Sequence, residues 1–447
     1  MQNETLAVIG TGYVGLVTAA CLADLGNQVI GIDRDHNKIA RIMRGDMPIY
    51  EPGLGELVAR AIASGRLRFT TDLSALRSAD LVMLAVGTPS AGVDGAVDLS
   101  QVWSAIDDIA PNLAQDAIVI GKSTLPIGTG RKIAQRLQQL TGCSIQVASN
   151  PEFLREGQAI GDFMQPDRII IGADSPGVSA RIENLYRAQI TAGTPVLSTT
   201  LESSELIKYA ANAFLATKVA FINEISDLAE AVGADIGAIS AGIGMDPRIG
   251  NRFLQPGPGY GGSCFPKDTL ALAYAAREMG QPTQIVEATI RANLARGDKM
   301  LQKIIRAIGP VAGKNLAVLG LAFKAGTDDM RDAPALPILR GLLAAGAKLR
   351  AYDPKAGAVA APLLPGLAVV DTAAQALGNA DAAIILTEWQ EFRDLTPADF
   401  VRQLQYPVVV DLRNLYAPAA MANGGVHYHS LGRTPCLPPA TKAVRHG

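Results

Sequence analysis

The segment GPGYGGSCFPKD, Gly257 to Asp268, brings a thiol, an ammonium and a carboxylate into one short run: Cys264, Lys267 and Asp268. Four glycines precede the cysteine, and glycine lets a backbone bend sharply and lets other atoms approach closely. Pro266 suits the first turn of a helix, and DTLALAYAARE, Asp268 to Glu278, reads as the helix that follows. Cys264 is therefore expected at or just before a helix N-terminus, three residues from Lys267, and both features favour a thiolate. Such a thiolate is a nucleophile. The other reading is a buried structural cysteine, and this segment alone does not choose between the two.

Two further pairs have the spacing for chemistry. Lys208 and Asn212, in ELIKYAANAF, are four residues apart and share a helical face. In so apolar a segment the lysine is either a functional cation held inside or a surface residue that snorkels. Taken alone, the segment favours the surface reading. Glu152 and Glu156, in SNPEFLREG, have the same spacing and follow a strand end. Open α/β sheets bind ligands at the carboxyl ends of their strands. The alternative is a solvated helix start whose acids complement the dipole.

Gly10-x-Gly12-x-x-Gly15 lies between an apolar strand and a helix, and Asp33 ends the next strand, 23 residues after Gly10. In that context the glycines mark a dinucleotide site: a tight turn, close approach of a pyrophosphate, and an acid for the adenine ribose hydroxyls. Asp33 would repel a 2′-phosphate, which favours NAD over NADP, although Arg34 is adjacent.

The elements that must hold these residues alternate strand and helix from TLAVIG through IQVASNPEF, which indicates a parallel sheet covered on both faces. After residue 200 the strand signal stops. TTLESSELIKYAANAFLATKVAFINEISDLAEAVGAD reads as one long, mostly buried helix, with Thr199 and Glu202 at capping-box spacing and Gly233 at the far end. A third region then repeats the first: LAVLG echoes LAVIG, GAKLRAYDPK echoes GNQVIGIDRD, NADAAIILTEW echoes SADLVMLAVGT, and YPVVVDLRN echoes DAIVIGKST. It has GLAFKA where the first has GTGYVG, so the two copies are expected to hold different ligands. The fold expected is α/β: two Rossmann-like, doubly wound parallel-sheet domains joined by a central helical region with a long helix. Residues 1–200 form the NAD-binding domain, 201–300 the helical middle with a dimer surface, 301–432 the second Rossmann-like domain, and 433–447 a mobile tail containing Cys436 and His446.

The balance of 40 basic against 42 acidic residues, with no long basic run, argues against a nucleic-acid or anionic-membrane partner. Four cysteines in 447 residues, none in a C-x-x-C pair, suggest a reducing compartment. With no signal-peptide pattern ahead of the first strand and no apolar run near spanning length, a cytoplasmic protein is expected. Only four histidines occur, three of them in the last 21 residues, and no metal is expected.

Taken together, GTGYVG, YEPGL, VGTP, KSTLPIGT, NPEFLREG, ELIKYAANAF, PGPGYGGSCFPKD and GLAFKAGTDDMRDAP resemble the UDP-glucose/GDP-mannose dehydrogenase family, in this order and over residues 5 to about 430. The resemblance implies an NAD-dependent enzyme that oxidises a sugar-nucleotide primary alcohol to a carboxylate in two steps. FLQPGPGYGGSCFPKD looks like the branch that takes UDP-glucose to UDP-glucuronate; the alternatives are GDP-mannose and UDP-N-acetylmannosamine. By motif position, Cys264 matches the nucleophile, Lys208 the cation that stabilises oxyanions, and Asn212 a support for the same oxygen. Asp268 resembles the carboxylate that holds a water, Glu152 the base for thioester hydrolysis, and Thr124 a further holder of that water. The glycines Gly10, Gly12 and Gly15 with Val14, Asp33, Lys38, Thr88, Thr124, Glu156, Lys267 and Arg331 match NAD contacts. Substrate contacts would come from Glu152, Phe153, Leu154, Arg155, Glu156, Lys208, Asn212, Phe253, Leu254, Gln255, Pro256, Gly257, Gly261 and Lys324, the last in a UDP-binding half. A homodimer is expected. A dehydrogenase that removes only two electrons, or an NAD-sensing regulator, would need no Cys264.

Overall fold

The computed structural model describes residues 4–92 and 94–439. The chain forms two compact units, Met1–Ala211 with Leu270–Pro282, and Asn212–Thr269 with Thr283–Gly447, so residues 201–300 are divided between them.

The first unit is built on eight strands: β1 (Thr5–Ile9), β2 (Gln28–Ile32), β3 (Leu67–Thr70), β4 (Leu81–Leu84), β5 (Ile118–Gly121), β6 (Gln146–Ser149), β7 (Ile169–Gly172) and β8 (Val196–Thr199). Their order is β3-β2-β1-β4-β5-β6-β7-β8. Leu6, Ala7, Val8 and Ile9 of β1 are all buried, the pattern of a strand covered on both faces. From β3 to β6 every pairing is parallel. The sheet departs from the all-parallel expectation at β7, which meets β6 antiparallel and carries β8 with it.

The second unit holds the repeat. Strands β9 (Asn315–Leu319), β10 (Lys348–Tyr352), β11 (Leu367–Val369), β12 (Ala382–Ile385), β13 (Val408–Asp411) and β14 (His427–Ser430) are ordered β11-β10-β9-β12-β13-β14. Every pairing is parallel. This is the order of β3-β2-β1-β4-β5-β6, and the echoing segments fall on corresponding strands. Even the turn after the first strand repeats: Gly10 N–H donates to the Ile32 carbonyl at 2.8 Å, and Gly320 N–H to the Tyr352 carbonyl at 2.8 Å. Both glycines have positive φ, +93° and +91°.

The long helix runs Leu201–Val232, 32 residues. Gly233 ends it at φ +74°, as its C′ position requires. The start differs from the expected box by one residue. Thr199 closes β8, and Thr200 is the cap, its Oγ1 accepting the Ser203 N–H at 3.2 Å. Nor is the helix buried all round. Ser204, Lys208, Asn212, Ala216 and Ala220 lie on a buried stripe, whereas Phe214, Phe221, Leu228 and Val232 are exposed. The expected tail is anchored at its start: Cys436 pairs with Tyr428 in an antiparallel bridge, and Arg433 reaches Asp235 at 3.3 Å. His446 lies outside the described residues. Among the described residues, no helix is long and apolar enough to cross a membrane.

The cap assignment has a direct check. Thr200→Ala is expected to lower stability by about 1 kcal/mol in chemical denaturation. Thr199→Ala is expected to change it by less than about half that; a reversed order would return the cap to Thr199.

Candidate active site

In the first unit the turn after β1 meets the helix Tyr13–Asp24, with Gly12 as N-cap and no side-chain cap bond. A Cβ at Gly15 would lie 1.8 Å from the Gly10 carbonyl oxygen, so turn and helix close only with glycine there. A Cβ at Gly12 would meet nothing within 4 Å. The turn thus leaves open space where the helix N-terminus is bare, a seat for a pyrophosphate. Asp33 organises it. Its Oδ2 accepts the Thr11 N–H at 2.8 Å, the Thr11 hydroxyl at 2.8 Å and the Lys38 ammonium at 2.7 Å. Burial pushes this carboxyl up, but Lys38 and the N–H groups of Thr11 and Asp35 outweigh it, and Asp33 titrates below the usual carboxylate range. Val14 stands in the first turn of the helix. The residues present fit a dinucleotide. Thr88 is buried just past β4, and Thr124 is half-buried just past β5. Ser123 ties these strand ends together, its hydroxyl donating to the Val86 carbonyl at 2.6 Å.

The segment after β6 is not the helix start that the spacing of Glu152 and Glu156 suggested. Residues 151–155 are irregular, and the next helix is Ala159–Met164. Glu152 and Lys208 are 6% and 3% exposed and form an ion pair at 3.0 Å. The surface reading of Lys208 is therefore corrected: the apolar segment holds it inside, opposite a carboxylate. Glu152 also accepts the Leu154 N–H at 2.5 Å. Burial raises its pKa, but Lys208, the Leu154 N–H and Lys122 more than compensate, and the carboxyl stays below its ordinary value. The Phe153 ring lies 3.7 Å from the Arg168 guanidinium carbon and 5.2 Å from the Lys208 ammonium. Arg155 turns away to Asp162 at 2.6 Å, and Glu156 is half-buried. Glu51, of the YEPGL segment, accepts the N–H groups of Gly157 at 2.7 Å and Ala159 at 2.8 Å, and the Tyr13 hydroxyl. It pins the end of the Glu152 segment to the first residue of the nucleotide-turn helix. The sequence reading missed this buried acid; its signal was a lone Glu in an otherwise turn-forming run.

The helix after the glycine loop that ends in Cys264 starts at Phe265, with Pro266 in its first turn as expected, and runs to Glu278, its residues divided between the two units. The Cys264 carbonyl accepts the Asp268 N–H at 2.8 Å, so Cys264 is the N-cap and its half-buried thiol lies in the positive field of the helix N-terminus. Its Sγ is 3.4 Å from the Ser263 hydroxyl. Asp268 is fully buried; one oxygen takes the Asn212 amide at 2.6 Å and the other the Lys267 ammonium at 2.6 Å.

The glycines before Cys264 answer to packing. A Cβ at Gly261 would lie 2.2 Å from the Asp332 carbonyl oxygen, and one at Gly262 would lie 2.7 Å from the Phe323 ring. Gly262, at φ +81°, donates its N–H to the Arg331 carbonyl at 2.9 Å. Lys324 is beside this contact, 5.6 Å over the Phe323 ring, while the Arg331 side chain bonds Asp329 at 2.8 Å. Upstream, Phe253 has φ +65° and its ring is 6.0 Å from that of Phe265. Leu254 and Pro256 are buried and Gln255 is exposed. Three side chains that the sequence reading did not single out grip this loop. Asn223 accepts the Gly257 N–H at 2.8 Å, Arg296 donates to the Gly257 carbonyl at 3.1 Å, and Asn293 bonds both backbone groups of Tyr260 at 2.9 and 3.0 Å. Polar residues within helical runs carry no mark of such a role.

The second copy's turn is closed where the first is open. Asp353, the counterpart of Asp33, accepts the N–H groups of Leu321 at 2.7 Å and Ala322 at 3.0 Å, and the Trp389 indole at 3.1 Å. The chain then runs through residues 323–334 before the helix Ala335–Ala344 begins, whereas in the first copy the helix follows the turn directly.

Three stretches of the chain match one family. Residues 4–190 match the NAD binding domain of the UDP-glucose/GDP-mannose dehydrogenase family, 202–295 its central domain and 317–418 its UDP binding domain. The chain belongs to this family. Among its relatives, the UDP-glucose 6-dehydrogenase of Rhizobium meliloti (strain 1021) is 47% identical over 433 residues, covering 96% of this chain and 99% of the relative. The UDP-glucose 6-dehydrogenase TuaD of Bacillus subtilis (strain 168) is 44% identical, covering 96% and 93%. A UDP-glucose dehydrogenase structure from Pyrobaculum islandicum matches with a TM-score of 0.88 and 36% identity, over 96% of this chain and 97% of the other. A UDP-D-ManNAc dehydrogenase structure from Pyrococcus horikoshii matches with a TM-score of 0.84 and 27% identity, over 96% and 99%. As a member of the UDP-glucose/GDP-mannose dehydrogenase family the chain is an NAD-dependent oxidoreductase. The open glycine turn falls in the NAD binding domain, and the closed one in the UDP binding domain.

Gly261→Ala is expected to preserve folding but lower kcat/KM by about a hundredfold, the scale of a 1 Å misplacement near reacting atoms, because the Asp332 carbonyl must move. Near-normal kinetics would show that the close contact is dispensable.

Proposed function

We propose that this enzyme oxidises UDP-glucose to UDP-glucuronate in two NAD-dependent steps, through a thiohemiacetal and a thioester on Cys264. The observation that carries the reading is the place of Cys264: the N-cap of a helix, half-buried, at the end of a glycine loop and beside Lys267. A helix N-terminus favours a thiolate.

NAD, when bound, supplies the hydride acceptor for both oxidations. Lys208 stabilises the alkoxide as the alcohol carbon becomes an aldehyde. The Cys264 thiolate then adds to that carbonyl, forming a C–S bond and an oxyanion that Lys208 and Asn212 support. Loss of the second hydride leaves a thioester. Glu152 takes a proton from water as the water attacks, the C–S bond breaks, and the carboxylate leaves a thiolate behind. Asp268, held between Asn212 and Lys267, and Thr124 orient that water. Substrate contacts come from Glu152 to Glu156, Phe253 to Gly257, Gly261 and Lys324. NAD contacts come from the turn and Asp33, with Lys38, Thr88, Thr124, Glu156, Lys267 and Arg331. The substrate assignment is supported by the relatives named UDP-glucose 6-dehydrogenase. The exposed apolar stripe Phe214, Phe221, Leu228 and Val232 supports a homodimer formed along the long helix. We place the enzyme in the cytoplasm.

NADH release measured across UDP-glucose, GDP-mannose, UDP-N-acetylmannosamine and UDP-galactose should give the highest kcat/KM with UDP-glucose and two NADH per sugar. Preference for another sugar would overturn the substrate. Cys264→Ser should collapse turnover, because the serine alkoxide is a poor leaving group; mass spectrometry then looks for a stalled ester on the peptide containing residue 264. Sustained carboxylate production at the wild-type rate would remove Cys264 as nucleophile. Lys208→Ala should lower kcat by about a hundredfold or more, as for loss of one oxyanion donor. A near-normal kcat would limit Lys208 to pairing with Glu152.

A further inference from the structure

The reaction above makes no use of one buried cation. Lys122 is the first residue after β5 and is 4% exposed. Its ammonium donates to Asn150 Oδ1 at 3.1 Å and to the Tyr186 hydroxyl at 3.2 Å, and lies 5.6 Å from the ring centres of both Phe163 and Tyr186. Among the described residues its direct hydrogen-bond partners are neutral. A lysine kept from water by an amide, a phenol and two rings is not held by a salt bridge, and burying it costs free energy that packing alone does not require.

Its partners lead to the site. Asn150 Oδ1 also accepts the Tyr186 hydroxyl at 2.5 Å, Asn150 Nδ2 donates to the Ile170 carbonyl at 2.8 Å, and Asn150 N–H to the Gly121 carbonyl at 2.9 Å. The side chain two residues before Glu152 is thus fixed by Ile170 of β7, by Tyr186 and by Lys122 at the end of β5. The titratable groups that face Lys122 are Tyr186, Glu152 and Lys208. Two buried ammonium groups, Lys122 and Lys208, thus act on the buried Glu152 carboxylate.

We infer that Lys122 is a positioning residue that fixes the corner from which Glu152 emerges and, as a second buried cation, keeps the Glu152 carboxyl ionised. This inference rests on the assignment of Glu152 as the base. Burial lowers the Lys122 pKa to about 8, with Glu152 raising it and Lys208 lowering it, so it remains charged at neutral pH. The sign of the effect follows. A nearby positive charge lowers a carboxyl pKa, so removing it raises the pKa, and the base is then lost to protonation at a higher pH.

The test uses Lys122→Met, which keeps the volume of the stem, Lys122→Gln, which keeps hydrogen-bonding capacity, and Glu152→Gln. The Glu152 carboxyl is followed by infrared titration, its band assigned by its loss in Glu152→Gln, alongside the pH profile of kcat. In both Lys122 variants the carboxyl titration and the acid limb of kcat should move up together by about one pH unit, the scale of removing one nearby opposite charge. Tyr186→Phe, which keeps both ammonium groups, should leave the titration in place. Titrations of Lys122→Met and Lys122→Gln that overlay the wild type would reduce Lys122 to a packing residue and overturn the inference. An acid limb that persists in Glu152→Gln would instead overturn Glu152 as the base. If Lys122→Met does not fold, Lys122→Gln decides the point.

Discussion

A buried ammonium facing a buried carboxylate offsets much of the cost of keeping both from water, and the contact between Lys208 and Glu152 at 3.0 Å imposes its geometry on everything around it. Removing one member of such a pair costs about 3–5 kcal/mol, because the other charge is stranded. Two distant pieces of chain must therefore arrive together: the corner after β6 and the second turn of the long helix. Each residue along a helix turns its side chain by about 100°, so the start of that helix decides which way Lys208 points. Thr200, not Thr199, sets the start. The Leu154 N–H and the Phe153 ring then complete the surroundings of the pair.

The loop that ends in Cys264 obeys a different constraint. Its position depends on how closely two backbones can approach, with Gly261 under the Asp332 carbonyl and Gly262 against Phe323. From the other side Asn223, Asn293 and Arg296 hold its peptide groups. A thiol at a helix N-cap is only as well placed as the loop before it, and here that loop is bonded to side chains and packed without spare volume.

Local patterns were legible in the sequence to different depths. The glycine turn with Asp33 could be read because strand, turn, helix and acid follow one another within 29 residues, Thr5 to Asp33, and their geometry is local. The duplicated sheet could be read because apolar strands recur in the same order. What could not be read depends on partners far along the chain. Lys208 looked like a surface residue because the nearby acid, Glu205, is taken up by the Gly128 and Gly130 N–H groups, and its actual partner is 56 residues away. Glu152 and Glu156 had helical spacing, but the corner at Pro151 and the pull of Glu51 on Gly157 and Ala159 keep that segment irregular. The reversal of β7 left no trace, since a buried strand has the same composition in either direction. Asn223, Asn293 and Arg296 were silent for the same reason as Lys208: a side chain's partner across two helices is not written beside it.

Asp353 shows that one backbone frame can be kept while the site built on it changes. In both copies the acid after the second strand ties the glycine turn, Asp33 through the Thr11 N–H and hydroxyl and Asp353 through the Leu321 and Ala322 N–H groups, and Asp353 also takes the Trp389 indole. Replacing Ala322 with glycine would leave those bonds in place, and residues 323–334 would still separate the turn from the next helix along the chain. The same frame of strand, turn and acid therefore serves two different sites, and a single substitution at the turn does not convert one into the other.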